Sequence, residues 1–147
     1  MRPLIVYYSK TGNTVAVAET IAAELEADLF RAEDFNDSQF SGRLLVGLGS
    51  GIYNTRPARQ VLDLISKIPK GSRVFVFFTS GFVNKFLIRL YISRFRKRLE
   101  KQGLELVGVW HAPGHDKYPP LKWANIQRGR PDADDLENAR AFAASLK

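Results

Sequence analysis

The chain has 147 residues, no cysteine and a formal net charge of +7, which suits a single domain and excludes disulfides, thiolate metal sites and cysteine nucleophiles. No apolar run approaches the ~20 residues of a membrane span, and the run after the first residues is too short for a signal peptide, so a soluble cytoplasmic protein is expected. The charge is uneven: residues 1–40 hold three basic and seven acidic side chains, residues 132–147 hold two and four, and the middle carries the surplus of +13, a face suited to something negative.

Leu4-Ile5-Val6-Tyr7-Tyr8 reads as a first strand, and Val15, Ala18, Ile21, Ala22 and Leu25 recur at helical spacing up to Glu26. Between them lies Ser9-Lys10-Thr11-Gly12-Asn13-Thr14. Three hydroxyls, a glycine that lets the backbone come close, and the unpaired N–H groups of a helix start could converge there on one phosphate. The same letters would also suit an ordinary helix capped by Thr11 or Asn13. A Walker loop is excluded because no glycine loop ends in Gly-Lys-Ser/Thr. The cluster Gly47-Leu48-Gly49-Ser50-Gly51 has Ile52 where a dinucleotide fingerprint needs glycine.

Further on, Asp28–Arg31 is long enough for a brief second strand, and Ala32 to Gly42 is polar enough to be a loop or one helical turn, leaving no full second helix. Leu44 to Leu48 is a continuous apolar run and predicts a buried parallel strand closed by a glycine turn, Gly49–Asn54. Pro57 is placed in the first turn of a helix whose apolar face is Val61, Leu62, Leu64, Ile65 and Ile68. Val74-Phe75-Val76-Phe77-Phe78 predicts a central strand, followed by the turn Thr79-Ser80-Gly81-Phe82. A long helix from Asn84 to Lys101, a strand from Leu104 to Trp110 and an acid-started helix from Asp132 to Leu146 complete the pattern. Strands alternating with helices imply a parallel sheet with helices on both faces, and in such sheets a ligand sits beyond the carboxyl ends of the strands.

The pattern Ser-x-Thr-Gly-x-Thr after a first strand resembles the phosphate loop of the flavodoxin family, which holds the 5′-phosphate of flavin mononucleotide (FMN). The run Gly51-Ile52-Tyr53-Asn54 is similar to that family's second turn, and Trp110 to Asp116 and Gly129 to Asp132 extend the likeness over nearly the whole chain. The resemblance implies one α/β domain over residues 1–147, a three-layer sandwich on a five-stranded parallel sheet of order 2-1-3-4-5. It also implies an FMN site: Ser9, Lys10, Thr11, Gly12, Asn13 and Thr14 on the phosphate, with Gly51, Ile52, Tyr53, Asn54, Thr79, Ser80, Gly81 and Phe82 flanking the ring. Tyr53 and Phe82 are the stacking candidates. His111 and His115 beside Asp116 raise a metal pair or a general acid. Two histidines in a turn without cysteine are more often solvated or capping residues, so no metal ligand or catalytic residue is assigned.

The chain departs from the family's acidic habit in the helix after the fourth strand. Lys85, Arg89, Arg94, Arg96, Lys97, Arg98 and Lys101 stand against one acid, Glu100, and with Leu87, Ile88, Tyr91, Ile92, Phe95 and Leu99 turned inward, Phe86 and Leu90 are left among the cations. Such a face suits an acidic redox partner protein or an anionic membrane surface, and it equally suits a solvated helix with long basic stems. Three functions follow: an FMN electron carrier docking acidic partners; an FMN-dependent oxidoreductase at a membrane surface, similar to flavodoxin-like quinone-linked protoporphyrinogen oxidases; and a flavin-free module binding nucleic acid by charge. The last lacks a stacking platform or a helix-turn-helix pattern, which disfavours it.

Overall fold

The computed structural model describes residues 2–10, 12–53, 56–80, 85–113 and 132–147. Its parallel strands are β1 (Leu4–Tyr8), β2 (Asp28–Arg31), β3 (Leu45–Tyr53), β5 (Arg73–Ser80) and β6 (Glu105–Pro113), and a two-residue strand β4 (Arg56–Pro57) pairs antiparallel with the end of β3. The sheet runs β2-β1-β3-β5-β6. Counting parallel strands alone, this is the expected order 2-1-3-4-5. Helices α1 (Asn13–Leu25) and α4 (Ala133–Ser145) pack together on one face, and α2 (Arg59–Leu62) with α3 (Lys85–Lys101) covers the other. Among the described residues no helix is long and apolar enough to cross a membrane.

Period-two alternation divides the core into two halves. Leu4, Val6, Val46, Leu48, Val74, Val76 and Phe78 pack toward α3, where Tyr91, Phe95 and Leu99 are buried. Ile5, Tyr7, Phe75 and Phe77 point the other way, onto Val17, Ala18, Ile21, Ala139 and Ala143. Because strands covered on both faces have no solvent side, they read as unbroken apolar runs. One extra residue, Val107, interrupts this alternation: Val74 pairs with Leu106 and Phe75 with Gly108. This β-bulge re-aims the end of β6, so that Trp110 stacks on Phe142 while His111 turns toward Phe78.

Where a full second helix is missing, two short 3-10 turns, Ala32–Asp34 and Asp37–Phe40, fill the connection as expected. Arg43 fastens it. This buried guanidinium donates to the Asp28 carboxylate at 2.6 Å and to the carbonyls of Arg2 and Gln39, and its hydrogen bond holds the Asp28 carboxyl below the usual range. The last helix starts on a capping box: Asp132 accepts from the Asp135 amide and the Asp135 side chain accepts from the Asp132 amide.

Several expectations change. Leu44 lies outside β3 and is 77% exposed, because the strand begins one residue later. Pro57 is not the first turn of a helix; it sits in β4 opposite Ile52, where a residue without an N–H is tolerated at a sheet edge. The helix after it has only four residues, Arg59–Leu62, with a 3-10 turn at Ile65–Lys67. Gly49 to Tyr53 do not form a turn: Gly49 to Gly51 stay paired within the parallel sheet and Ile52 and Tyr53 carry β3 on into the hairpin with β4, while Thr79 and Ser80, also expected in a turn, are the last residues of β5.

The glycines in β3 have a packing reason. A Cβ on Gly47 would meet the Phe75 ring at 2.2 Å, and one on Gly49 would meet the Phe77 ring at 2.2 Å. Gly47 is paired with Phe75 and Gly49 with Phe77, so each ring leans over the neighbouring strand where a side chain would otherwise stand.

Candidate functional site

Since β1, β3 and β5 are parallel and adjacent, their carboxyl ends meet at one edge, about 5 Å apart from strand to strand. Tyr8 is level with Ser50, and Gly51 is level with Thr79. The segments singled out in the sequence therefore emerge side by side. Ser9, Lys10, Gly12, Asn13 and Thr14 connect β1 to α1; Gly51, Ile52 and Tyr53 end β3; Thr79 and Ser80 end β5. Thr11, Asn54, Gly81 and Phe82 lie outside the described residues.

The β1–α1 connection is a tight turn. The Gly12 amide donates to the Ser9 hydroxyl at 2.9 Å, and Gly12 takes the left-handed angle φ 88° as the N-cap of α1. That conformation costs an L side chain about 1–2 kcal/mol, which is why glycine stands there. A Cβ on Gly12 would meet nothing within 4 Å, so the requirement is the backbone angle and the space above it is open. The cap residue is Gly12, which has no side chain to offer the first-turn amides, and no acid stands in that turn; Asn13 is the first residue of the helix and not its cap.

Thr14, in the first turn of α1, is buried, and its hydroxyl lies 3.0 Å from that of Thr79. The bond spans β3, which runs between β1 and β5. Alternation puts Gly51 on the same face as Gly47 and Gly49, so no side chain of β3 stands between the two threonines. Two hydroxyls own two protons and one bond consumes one, leaving a donor for a ligand; Ser9, having accepted from Gly12, also keeps its proton to donate. Of the hydroxyls expected to converge, those of Ser9 and Thr14 are already tied into the scaffold.

On the other side of β3, Ser50 is buried and does two jobs. Its hydroxyl donates to the Gly51 carbonyl at 2.6 Å and accepts from the Ala58 amide at 2.8 Å, fixing the hairpin to the start of α2. The Tyr91 hydroxyl also approaches the Gly51 carbonyl, at 3.5 Å. The sequence placed Ser50 in a turn and Tyr91 on the inner side of a helix, and gave neither a role at the site. A polar residue within an apolar strand is the signal that finds Ser50, because buried hydroxyls need partners.

His111, the last of the sheet's unusual groups, has its ring 4.9 Å from that of Phe78, and its buried Nε2 has no hydrogen-bond partner among the described residues. Burial lowers its pKa to about 4. At neutral pH it is uncharged, which argues against a general acid. His115 and Asp116 lie outside the described residues, and among the described residues no group of three or more potential ligands could hold a metal.

The model of the flavodoxin domain family matches residues 4–126. An uncharacterised protein of Methanocaldococcus jannaschii is 32% identical over 149 residues, with 99% of this chain and 98% of that one covered. Among solved structures, oxidised flavodoxin 1 from Bacillus cereus superposes with a TM-score of 0.74 at 14% identity, covering 99% of this chain and 97% of that one. A flavodoxin from the domain Archaea gives 0.73 at 16% identity, covering 99% and 96%. At such identities the two structures speak for the fold alone.

Proposed function

Because this chain belongs to the flavodoxin family, we propose that it binds FMN at the carboxyl edge of β1, β3 and β5 and serves as a flavin-dependent electron carrier. The observation that carries the reading is the glycine-capped start of α1, tied through Thr14 to Thr79. This arrangement presents amides and hydroxyls to an anion and needs no cationic side chain.

Bound there, the flavin would supply the redox chemistry, taking up one or two electrons and gaining negative charge on its ring. The protein's part is to hold and to bias. Ser9, Gly12, Asn13 and Thr14 would seat the phosphate, with the loops after β3 and β5 on either side of the ring. The fit is supported by the open space over Gly12 and by the absence of any acid from Ser38 to Leu62 and from Leu64 to Leu99 in the sequence. With no carboxylate in these stretches to repel the charge gained, the reduced state should be easier to reach than in acidic relatives.

Titration of the flavin-free protein with FMN and with riboflavin tests the reading, because only FMN carries the phosphate. Saturable one-to-one quenching of FMN fluorescence is expected, with riboflavin at least about tenfold weaker, the worth of one charge-assisted hydrogen bond or more. Protein that stays colourless with FMN, or binds both flavins alike, overturns the assignment of the β1–α1 turn.

A further inference from the structure

The outer face of α3 is not explained by the cofactor edge. Helix α3 is held by its inner side, where Tyr91, Phe95 and Leu99 are at most 1% exposed. Its outer side carries Phe86, 74% exposed, and Leu90, 39% exposed. Phe86, Leu90, Lys97 and Lys101 follow one another at spacings of four, seven and four, which places them along one line of the helix. Arg89 and Arg96 flank that line on one side, and Arg94 and Arg98 on the other. All six cations from Arg89 to Lys101 are exposed, and none forms an ion pair among the described residues.

The opposite layer is the reverse. Helix α1 and its cap carry Glu19, Glu24 and Glu26 without a cation, and α4 starts on Asp132, Asp134, Asp135 and Glu137. Its two basic residues are already engaged, Arg140 with Glu137 and Lys147 with Glu24. The molecule is thus polarised across its sheet. An extended negative plane would attract the α3 layer and repel the other, fixing one orientation.

We propose that α3 docks the protein on the surface of an anionic lipid bilayer, with Phe86 and Leu90 entering the headgroup region and the cations lying against acidic headgroups. Two features favour lipid over an acidic protein. The cations surround the apolar line on both flanks of a convex helix about 25 Å long, which a fluid headgroup layer can follow and a rigid patch of carboxylates can meet only in part. Exposed apolar side chains inside a basic face add burial to attraction, the combination that holds interfacial helices to membranes.

The apolar end of α3 is also the end next to the cofactor edge, because the helix follows the carboxyl end of β5. Docking therefore brings that edge toward the lipid. The proposal draws on the FMN reading only for what is brought there; the docking face itself stands without flavin.

The test is sedimentation of the full chain, with and without FMN, on vesicles of phosphatidylcholine alone and of equal parts phosphatidylcholine and phosphatidylglycerol, in about 0.1 M salt. Binding to the anionic vesicles and none to the neutral ones is expected. Lys97→Ala and Lys101→Ala should each weaken partition about fivefold, and Phe86→Ser with Leu90→Ser about tenfold or more, all with unchanged circular dichroism. Failure to sediment with phosphatidylglycerol vesicles overturns the proposal. So does a Phe86→Ser/Leu90→Ser variant that sediments like the parent, since binding by charge alone is how a docking patch for an acidic protein behaves. Vesicle sedimentation and flavin titration fail independently, so loss of one does not mask the other.

Discussion

The two faces of the sheet are built on different terms. Under α1 and α4 the packing relies on small residues: Ala18 and Ala22 on one helix, Ala139 and Ala143 on the other, and glycines in β3 that admit the rings of Phe75 and Phe77. Several polar groups of that layer find partners within it, in the Asp132–Asp135 capping box and the pairs of Arg140 and Lys147. Under α3 the packing is aromatic, with Phe78, Tyr91 and Phe95 in mutual ring contact. On that layer the α3 cations from Arg89 to Lys101 form no ion pair among the described residues, Phe86 is 74% exposed, and the His111 Nε2 has no hydrogen-bond partner among the described residues. One face pairs its two cations within the layer and the other presents cations and an apolar side chain to solvent, which makes the second the face to perturb in testing the proposed docking.

Breaking the first face should have the largest effect. Gly49→Val forces a branched side chain into the space of the Phe77 ring, where even a Cβ would stand 2.2 Å away. Overpacking of this severity costs about 3 kcal/mol or more, a fall in Tm of about 10 °C in a domain of this size. Thermal unfolding followed by circular dichroism measures it. Gly47→Val, against Phe75, should behave alike, and a variant with unchanged Tm would mean that the glycines are there for the edge and not for the rings.

On the α3 face the group that burial perturbs is His111. Burial holds its pKa at about 4, against an ordinary value of 6.5, so between these values the unfolded chain binds more protons than the folded one. Stability therefore rises with pH from about 4 to 6.5 and is level above. Allowing for partial solvent contact, the contribution at neutral pH that is lost by pH 4 is about 2 kcal/mol. Asp28, whose carboxyl Arg43 holds low, titrates beneath most of this window. Urea unfolding at pH 4.5 and 7.5 should show a difference that His111→Phe reduces, and an equal difference in that variant would assign the acid sensitivity elsewhere.

What could be read from the letters follows the range of the interactions concerned. The strand Val74–Phe78 and the outward position of Phe86 and Leu90 depend on local periodicity and were legible from it, whereas the strand order came from the family resemblance and not from the letters of any one element. The role of Gly47 and Gly49 was not legible, because the rings that exclude a side chain come from Phe75 and Phe77, almost thirty residues away. His111 faces Phe78 only because Val107 bulges, and a bulge is a property of strand pairing and not of either strand. Pro57 suited a helix start equally well, and only its pairing with Ile52 decides for the strand. At the candidate site the β1–α1 turn was legible as a unit, whereas the engagement of Thr14 by Thr79 required knowing that three glycines line the strand between them.

That engagement gives the smallest and most specific expectation. Thr14→Val leaves the buried Thr79 hydroxyl without the partner seen at 3.0 Å, and Thr79→Val does the same to Thr14. Each should cost about 1 kcal/mol, since the shape is kept and one buried polar group loses its bond. The double variant removes both hydroxyls together and should cost clearly less than the sum, because apolar groups of like shape replacing both partners can be nearly neutral. A coupling of about 0.5 kcal/mol or more from urea unfolding would establish the bond between the edge segments. Strict additivity would instead mean that the two hydroxyls serve separate partners, and the first and third segments of the edge would then be joined by strand spacing alone.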